Sequence, residues 1–221
     1  IGLTARDEDG LRLMADGRPL IIRVDTAGES TEQADVLELI QDGWAKLGIR
    51  LLVRPSQRDV FRKRIVAGQT IMSVWSGISN GLATAAMSPE ALAPTNKYQL
   101  QWPLWGLWGQ TGGRAGEEPE MEQVRHLADL FQAWLRAESE AEQGRIWKQM
   151  LDIHADQVFT IGIVNSTLQP VVISKRLRNV PAEAFFNWDP GAYFGVHKPD
   201  TFWLASANDD EAAGQPAKAR Q

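Results

Sequence analysis

Residues 20–75 read LIIRVDTAGESTEQADVLELIQDGWAKLGIRLLVRPSQRDVFRKRIVAGQTIMSVW, and the alternation within them decides the fold. Leu20–Val24 is an apolar run broken only by Arg23, which predicts a strand. Ser30 with Gln33 three residues on is a capping-box pattern. Val36, Leu37, Ile40, Trp44 and Leu47 then recur at helical spacing until Gly48. Ile49–Val53 predicts a second strand. Pro55 and Ser56 open a second helix, with Asp59 near its positive end and an apolar stripe of Val60, Phe61 and Ile65 that stops at Gly68. Thr70–Trp75 predicts the third strand. Strand, helix, strand, helix, strand implies an α/β layer architecture, a sheet flanked by crossover helices.

The flanking regions have other textures. Upstream, Asp9-Gly10 and Asp16-Gly17 are turn signals. Downstream, residues 76–118 are rich in Gly, Ala, Ser, Pro and Trp without a long period, and such stretches in compact domains usually serve function. Met121, Val124, Leu127, Phe131, Trp134 and Leu135 trace one face of a helix. Ser139 with Glu142 caps another, with Ile146, Trp147, Met150 and Leu151 inward. Phe159–Val164 and Val171–Ser174 read as strands. The aromatic, irregular segment 178–204 follows, and from Asn208 to Gln221 no apolar residue exceeds alanine, which predicts a flexible polar tail over 207–221.

Composition excludes several functions. The net charge of −5 and pI near 5.3 argue against nucleic acid as a partner. Cysteine is absent, which removes thiolate metal sites, disulfides and cysteine nucleophiles. No run of about 18 apolar residues exists. His126, His154 and His197 have no metal-like spacing and read as satisfied surface or boundary histidines. Gly112-Gly113-Arg114-Ala115-Gly116 lacks the context of a phosphate loop and reads as a flexible loop. Glu117, Glu118, Glu120 and Glu122 would be the carboxylates of a carbohydrate-active enzyme, but acidic residues at a helix start are explained by its dipole. No catalytic set, metal set or cofactor is expected.

The nine tryptophans supply the candidate site. Trp44, Trp134 and Trp147 fall in helical stripes and belong to the core. Trp75 ends a strand and opens onto Ser76, Gly77 and Asn80, and α/β ligand sites lie beyond strand ends. Trp102, Trp105 and Trp108 recur at a three-residue step behind Pro103, with Gly106 and Gly109 beside them. Indole pairs an apolar face with one N–H donor, which suits a half-wet ligand surface. Trp75, Ser76, Gly77 and Asn80 are therefore expected to contact ligand, and Trp102, Trp105 and Trp108 to stack on it.

Taken in order, several segments resemble one family. They are Arg6–Leu13, Asp16–Leu20, Ile40–Ile49, Trp75-Ser76-Gly77, Gly116–Pro119, Ile161–Val164 and Leu177–Pro181. Together they resemble the second, C-terminal lobe of family 5 extracellular solute-binding proteins of ABC importers, the dipeptide, oligopeptide and nickel type. The resemblance implies a periplasmic-binding-protein-like α/β lobe over residues 1–206, with a mixed sheet flanked by helices. It further implies that residues 178–206 return toward a first lobe absent from this sequence. It implies a periplasmic or extracellular receptor that delivers a small solute to ABC permease membrane subunits, without enzymatic activity. Peptide-binding members carry an aspartate where this chain has Ile78, and dipeptide binders an arginine in the loop that here reads Asp25–Ser30. Their absence favours an uncharged oligosaccharide or sugar conjugate over an oligopeptide or dipeptide.

Overall fold

Strand β1 (Ile21–Thr26) lies between β2 (Arg50–Pro55) and β3 (Met72–Ser73), parallel to both. Ile21 pairs with Arg50 and Thr26 with Pro55, so the register runs the full length of β1. These elements belong to a computed structural model that describes residues 2–77, 87–163, 168, 170–184 and 197–206.

The two crossovers are helices α1 (Thr31–Lys46) and α2 (Arg58–Val66). Val24, Leu37 and Leu51 form one buried cluster, with Ile22, Ile40, Trp44, Val53 and Met72 packed on it. Ala27, Phe61 and Ile65 form another, with Trp75 and Leu100 against it. Alternation along β1 sends Val24 toward α1 and Asp25 toward α2, so the helices cover opposite faces, as right-handed crossovers to opposite neighbours require. Phe61 and Ile65 are almost fully buried, and each contributes about 2–3 kcal/mol.

Local signals place the helix ends. Ser30 Oγ accepts from the Gln33 N–H at 3.2 Å, and Ser139 Oγ accepts from the Glu142 N–H at 3.2 Å. At the end of α1, Gly48 has φ +82°, its N–H reaches the Ala45 carbonyl, and the Ile49 N–H reaches that of Trp44. Those two bonds are a Schellman closure, which glycine enters without strain. Helix α2 starts at Arg58 rather than Pro55, because Pro55 is still paired in β2.

Beyond the sheet come a short 3-10 turn (Glu90–Leu92) and helices α3 (Pro103–Thr111), α4 (Glu122–Arg136) and α5 (Glu140–Gln157). Val124 and Leu127 of α4 and Ile146, Trp147 and Met150 of α5 are buried. Trp44 and Trp134 are half-buried, in keeping with their helical stripes.

The chain divides into two compact units, Ile1–Ser76 with Ser88–Thr160, and Gly77–Met87 with Ile161–Gln221. Within the second, β4 (Leu177–Arg178) pairs antiparallel with β5 (Trp203–Leu204). The strands expected at Phe159–Val164 and Val171–Ser174 do not form among the described residues. Phe159, in the first unit, packs edge-on against Trp102 instead. Val171 and Val172 stay exposed, because an apolar run becomes a strand only where an edge is offered to it. Val164, Ile78, Asn80, Trp188 and the tail 207–221 lie outside the described residues.

Candidate functional site

With the order β2-β1-β3, the chain leaves β1 on one side and crosses back to the other, which makes the carboxyl ends of β1 and β3 the topological switch point. Open α/β sheets hold ligands there. Residues 27–30 follow β1 at this edge and residues 74–76 follow β3.

The floor of the edge is an ion cluster. Asp25, only 1% exposed, is gripped by Arg54, its register partner on β2, with Nε–Oδ1 2.5 Å and Nη2–Oδ2 2.7 Å. Arg64 of α2 adds a third bond at 2.9 Å. Burial pushes the Asp25 carboxyl up, but the guanidinium hydrogen bonds of Arg54 and Arg64 outweigh it and hold the group below the ordinary carboxylate range. The Ser56 N–H donates to the Thr26 carbonyl and the Gly28 N–H to Thr26 Oγ1, which folds the β1 loop onto the approach to α2.

Trp75 stands above this floor, half-buried and stacked on Phe61 with centroids 5.5 Å apart and planes 23° from parallel. The Arg58 and Arg62 guanidiniums lie over the same indole, 5.5 and 5.3 Å from its centroid. Such distances are within cation–π range. Arg58 also pairs with Glu29 from the β1 loop. Ser76 and Gly77 follow, both exposed. The sequence does not place Arg58 and Arg62 here, because the period of α2 reports only its apolar stripe. That stripe is narrower than expected: Val60 is exposed. The readable signal was Arg58, Phe61 and Arg62, which helical spacing sets on one face.

Trp102, Trp105 and Trp108 are not one surface. Trp102 is 3% exposed, donates its indole N–H to Gln99 Oε1 at 3.1 Å, and meets His154 and Phe159 edge-on. It is a core side chain with its polar handle satisfied. Trp105 and Trp108 are half-buried. The two neighbouring glycines have a packing reason: a Cβ on Gly106 would stand 2.0 Å from the Asn96 carbonyl oxygen, and one on Gly109 would stand 2.4 Å from that of Pro94. Residues 94–96 therefore lie directly on α3.

Residues 112–116, expected as a flexible loop, are an ordered cap. The Gly113 N–H donates to the Trp108 carbonyl at 2.9 Å, the Ala115 N–H to Thr111 Oγ1 at 3.0 Å, and the Glu117 N–H to the Leu104 carbonyl at 3.1 Å. Glu117, Glu118, Glu120 and Glu122 are exposed. His154 Nε2 lies 2.9 Å from the Leu92 carbonyl, a satisfied boundary histidine, and His126 is exposed.

No group of three metal-ligating side chains comes together among the described residues, and no described helix is long and apolar enough to cross a membrane. Two open hollows of about 470 and 590 Å³ lie in the second unit, lined by Asn179, His197, Lys198 and Thr201 among others, and by Ile173, Lys175 and Arg178 among others. Both are shallow and open rather than enclosed, which leaves the strand edge as the better candidate.

Comparison with solved structures agrees with this topology. The oligopeptide-binding protein OppA matches with a TM-score of 0.67 over 93% of this chain at 22% identity. The fold is that of part of a solute-binding protein. MelB from Agrobacterium fabrum, in complex with stachyose, matches with a TM-score of 0.57 over 73% of the chain at 22% identity. NikA from Brucella suis, in complex with Fe(III)-EDTA, matches with a TM-score of 0.51 over 72% at 17% identity. This chain spans 34%, 24% and 28% of those binding proteins respectively, about a third or less of their length. No family model matches the sequence. No curated protein matches it either.

Proposed function

We propose that this chain is the second lobe of the substrate-binding component of an ABC importer, exported to the periplasm or cell surface. A first lobe elsewhere in the full-length protein completes the cleft, and closure around a small solute presents the receptor to the permease subunits. The observation that carries this reading is the half-buried Trp75, followed by the exposed Ser76, at the carboxyl edge of β3 beside β1, the switch point of a doubly wound sheet. The exposed apolar residues Leu168, Val171 and Val172 of the second unit fit a chain that has further polypeptide to pack against.

Trp75, Ser76 and Gly77 are the proposed ligand contacts, with Asn80 next in the chain. Trp105 and Trp108 remain secondary contacts, and Trp102 supports them from the core. An oligosaccharide or sugar conjugate is the proposed ligand, because the part of the indole that Phe61, Arg58 and Arg62 leave exposed offers an apolar edge and Ser76 a neutral hydroxyl. Among proteins of this fold, one is an oligopeptide-binding protein and another was solved with stachyose, so both solute classes have precedent.

The test is tryptophan fluorescence and calorimetric titration of the intact polypeptide that carries these residues, against a panel of oligosaccharides and peptides. Binding to one class, weakened about tenfold or more in Trp75→Ala, supports the reading. Affinity unchanged in Trp75→Ala removes that residue from the site, and hydrolysis of a glycan, abolished in Glu117→Gln or Glu118→Gln, overturns the receptor assignment.

A further inference from the structure

The sequence favours an uncharged ligand, because Ile78 and the loop Asp25–Ser30 lack the aspartate and arginine of peptide binders. The folded chain brings charge to Trp75 from another element. Helix α2 carries Arg58, Arg62, Lys63 and Arg64 against one acid, Asp59, in a chain whose net charge is −5. Half of that positive charge is consumed within the fold: Arg64, with Arg54 of β2, on Asp25, and Arg58 on Glu29. Arg62 is exposed and forms no ion pair among the described residues. Its guanidinium rests over the Trp75 ring, 5.3 Å from the centroid.

We infer that the solute captured at this edge carries a carboxylate, and that Arg62, laid on Trp75, is the group that receives it. The inference rests on the receptor reading of the same site and changes the ligand class from neutral to acidic. Cation–π attraction holds the guanidinium over the indole without an ion-pair partner, so its N–H donors stay free to donate. One planar fork matches one carboxylate with two parallel hydrogen bonds. Stacking on Trp75 also restricts the long arginine side chain before ligand arrives, so less rotamer freedom is lost on binding. Glu29 has a definite role here. It neutralises Arg58, leaving one unpaired cation beside the indole rather than two, which suits a single carboxylate. The same chemistry would serve an acidic saccharide or the carboxyl end of a peptide, and the probes must separate them.

Calorimetry on the intact polypeptide would use trigalacturonate and its full methyl ester, and trialanine and its C-terminal amide. The expected result is that one acid form binds about tenfold or more tightly than its masked partner. That preference should collapse in Arg62→Gln, with the masked form's affinity unchanged, and return in part in Arg62→Lys. Which pair shows it identifies the source of the carboxylate. Equal binding of acid and masked forms, or an acid preference that survives Arg62→Gln, overturns the inference and leaves the receptor reading intact. No binding by any of the four probes or by the wider neutral panel overturns both. Arg62 is exposed and outside the buried core, so folding of its variants is not at stake.

Discussion

Two regions of this molecule carry the candidate tryptophans, and they surround them differently. Around α3, the side chains and backbone of neighbouring segments close on the indoles: Trp102 is buried with its N–H satisfied, residues 94–96 lie on two glycines, and the 112–117 turn folds back on the helix. At the strand edge a single half-buried indole, Trp75, is dressed with two guanidiniums from α2. Of the α3 tryptophans, Trp102 belongs to the packing, while Trp105 and Trp108 are half-buried like Trp75. The isolated tryptophan at a strand end, where a parallel sheet opens to solvent, marks the candidate site.

The largest expected effect separates the two regions directly. Trp102→Ala removes a buried indole braced by His154, Phe159 and Gln99, and should cost about 4 kcal/mol. Urea denaturation would measure it, and solute affinity per folded molecule should fall less than in Trp75→Ala. A variant that kept its stability but lost affinity would erase the distinction between the regions. The strand edge has its own structural anchor beneath the site. Asp25→Ala leaves Arg54 and Arg64 without their shared carboxylate and should cost about 3 kcal/mol.

That anchor also predicts a pH dependence. Asp25 is held below its ordinary value in the folded chain, so near the ordinary carboxylate range the unfolded chain binds a proton that the native chain does not. The stability it contributes is complete above that range and is lost as pH falls through it toward the lowered native value. Denaturation midpoints measured between about pH 3 and pH 7 should fall less steeply on acidification in Asp25→Asn than in the wild type. An equal acid slope in both would show that Asp25 ionisation does not contribute to folding.

The part of this architecture that sequence revealed is the part encoded in short windows. Ser30 with Gln33, Ser139 with Glu142, and the stops at Gly48 and Gly68 place helices through bonds that close within a few residues. Three parallel strands joined by two helices then follow from the period of the apolar residues. What stayed hidden depends on partners distant in the chain. The Asp25–Arg54 pair becomes visible only once β1 and β2 are set in register. Arg58 and Arg62 reach Trp75 because α2 crosses back over the sheet, and nothing around Trp75 in sequence announces them. Val171–Ser174 has strand composition, but no edge among the described residues takes it up.

Glycine offers the finest test, because the same substitution should change sign between a packed and an open position. Gly106 is buried in α3, and an added methyl would stand 2.0 Å from the Asn96 carbonyl oxygen, a backbone atom that cannot swing aside. Helix propensity favours alanine there by up to about 1 kcal/mol, but the overlap forces residues 94–96 off the helix. The net cost of Gly106→Ala should be about 2–3 kcal/mol. Gly43 sits inside α1, exposed, with nothing within 4 Å of where its Cβ would be. Only propensity acts at that site, so Gly43→Ala should stabilise the chain by about 0.5–1 kcal/mol. Thermal or urea midpoints of the two variants should therefore move in opposite directions. If both moved upward, the contact of residues 94–96 with α3 would be loose enough to yield, and the tryptophan helix would have room to open its indoles to a solute after all.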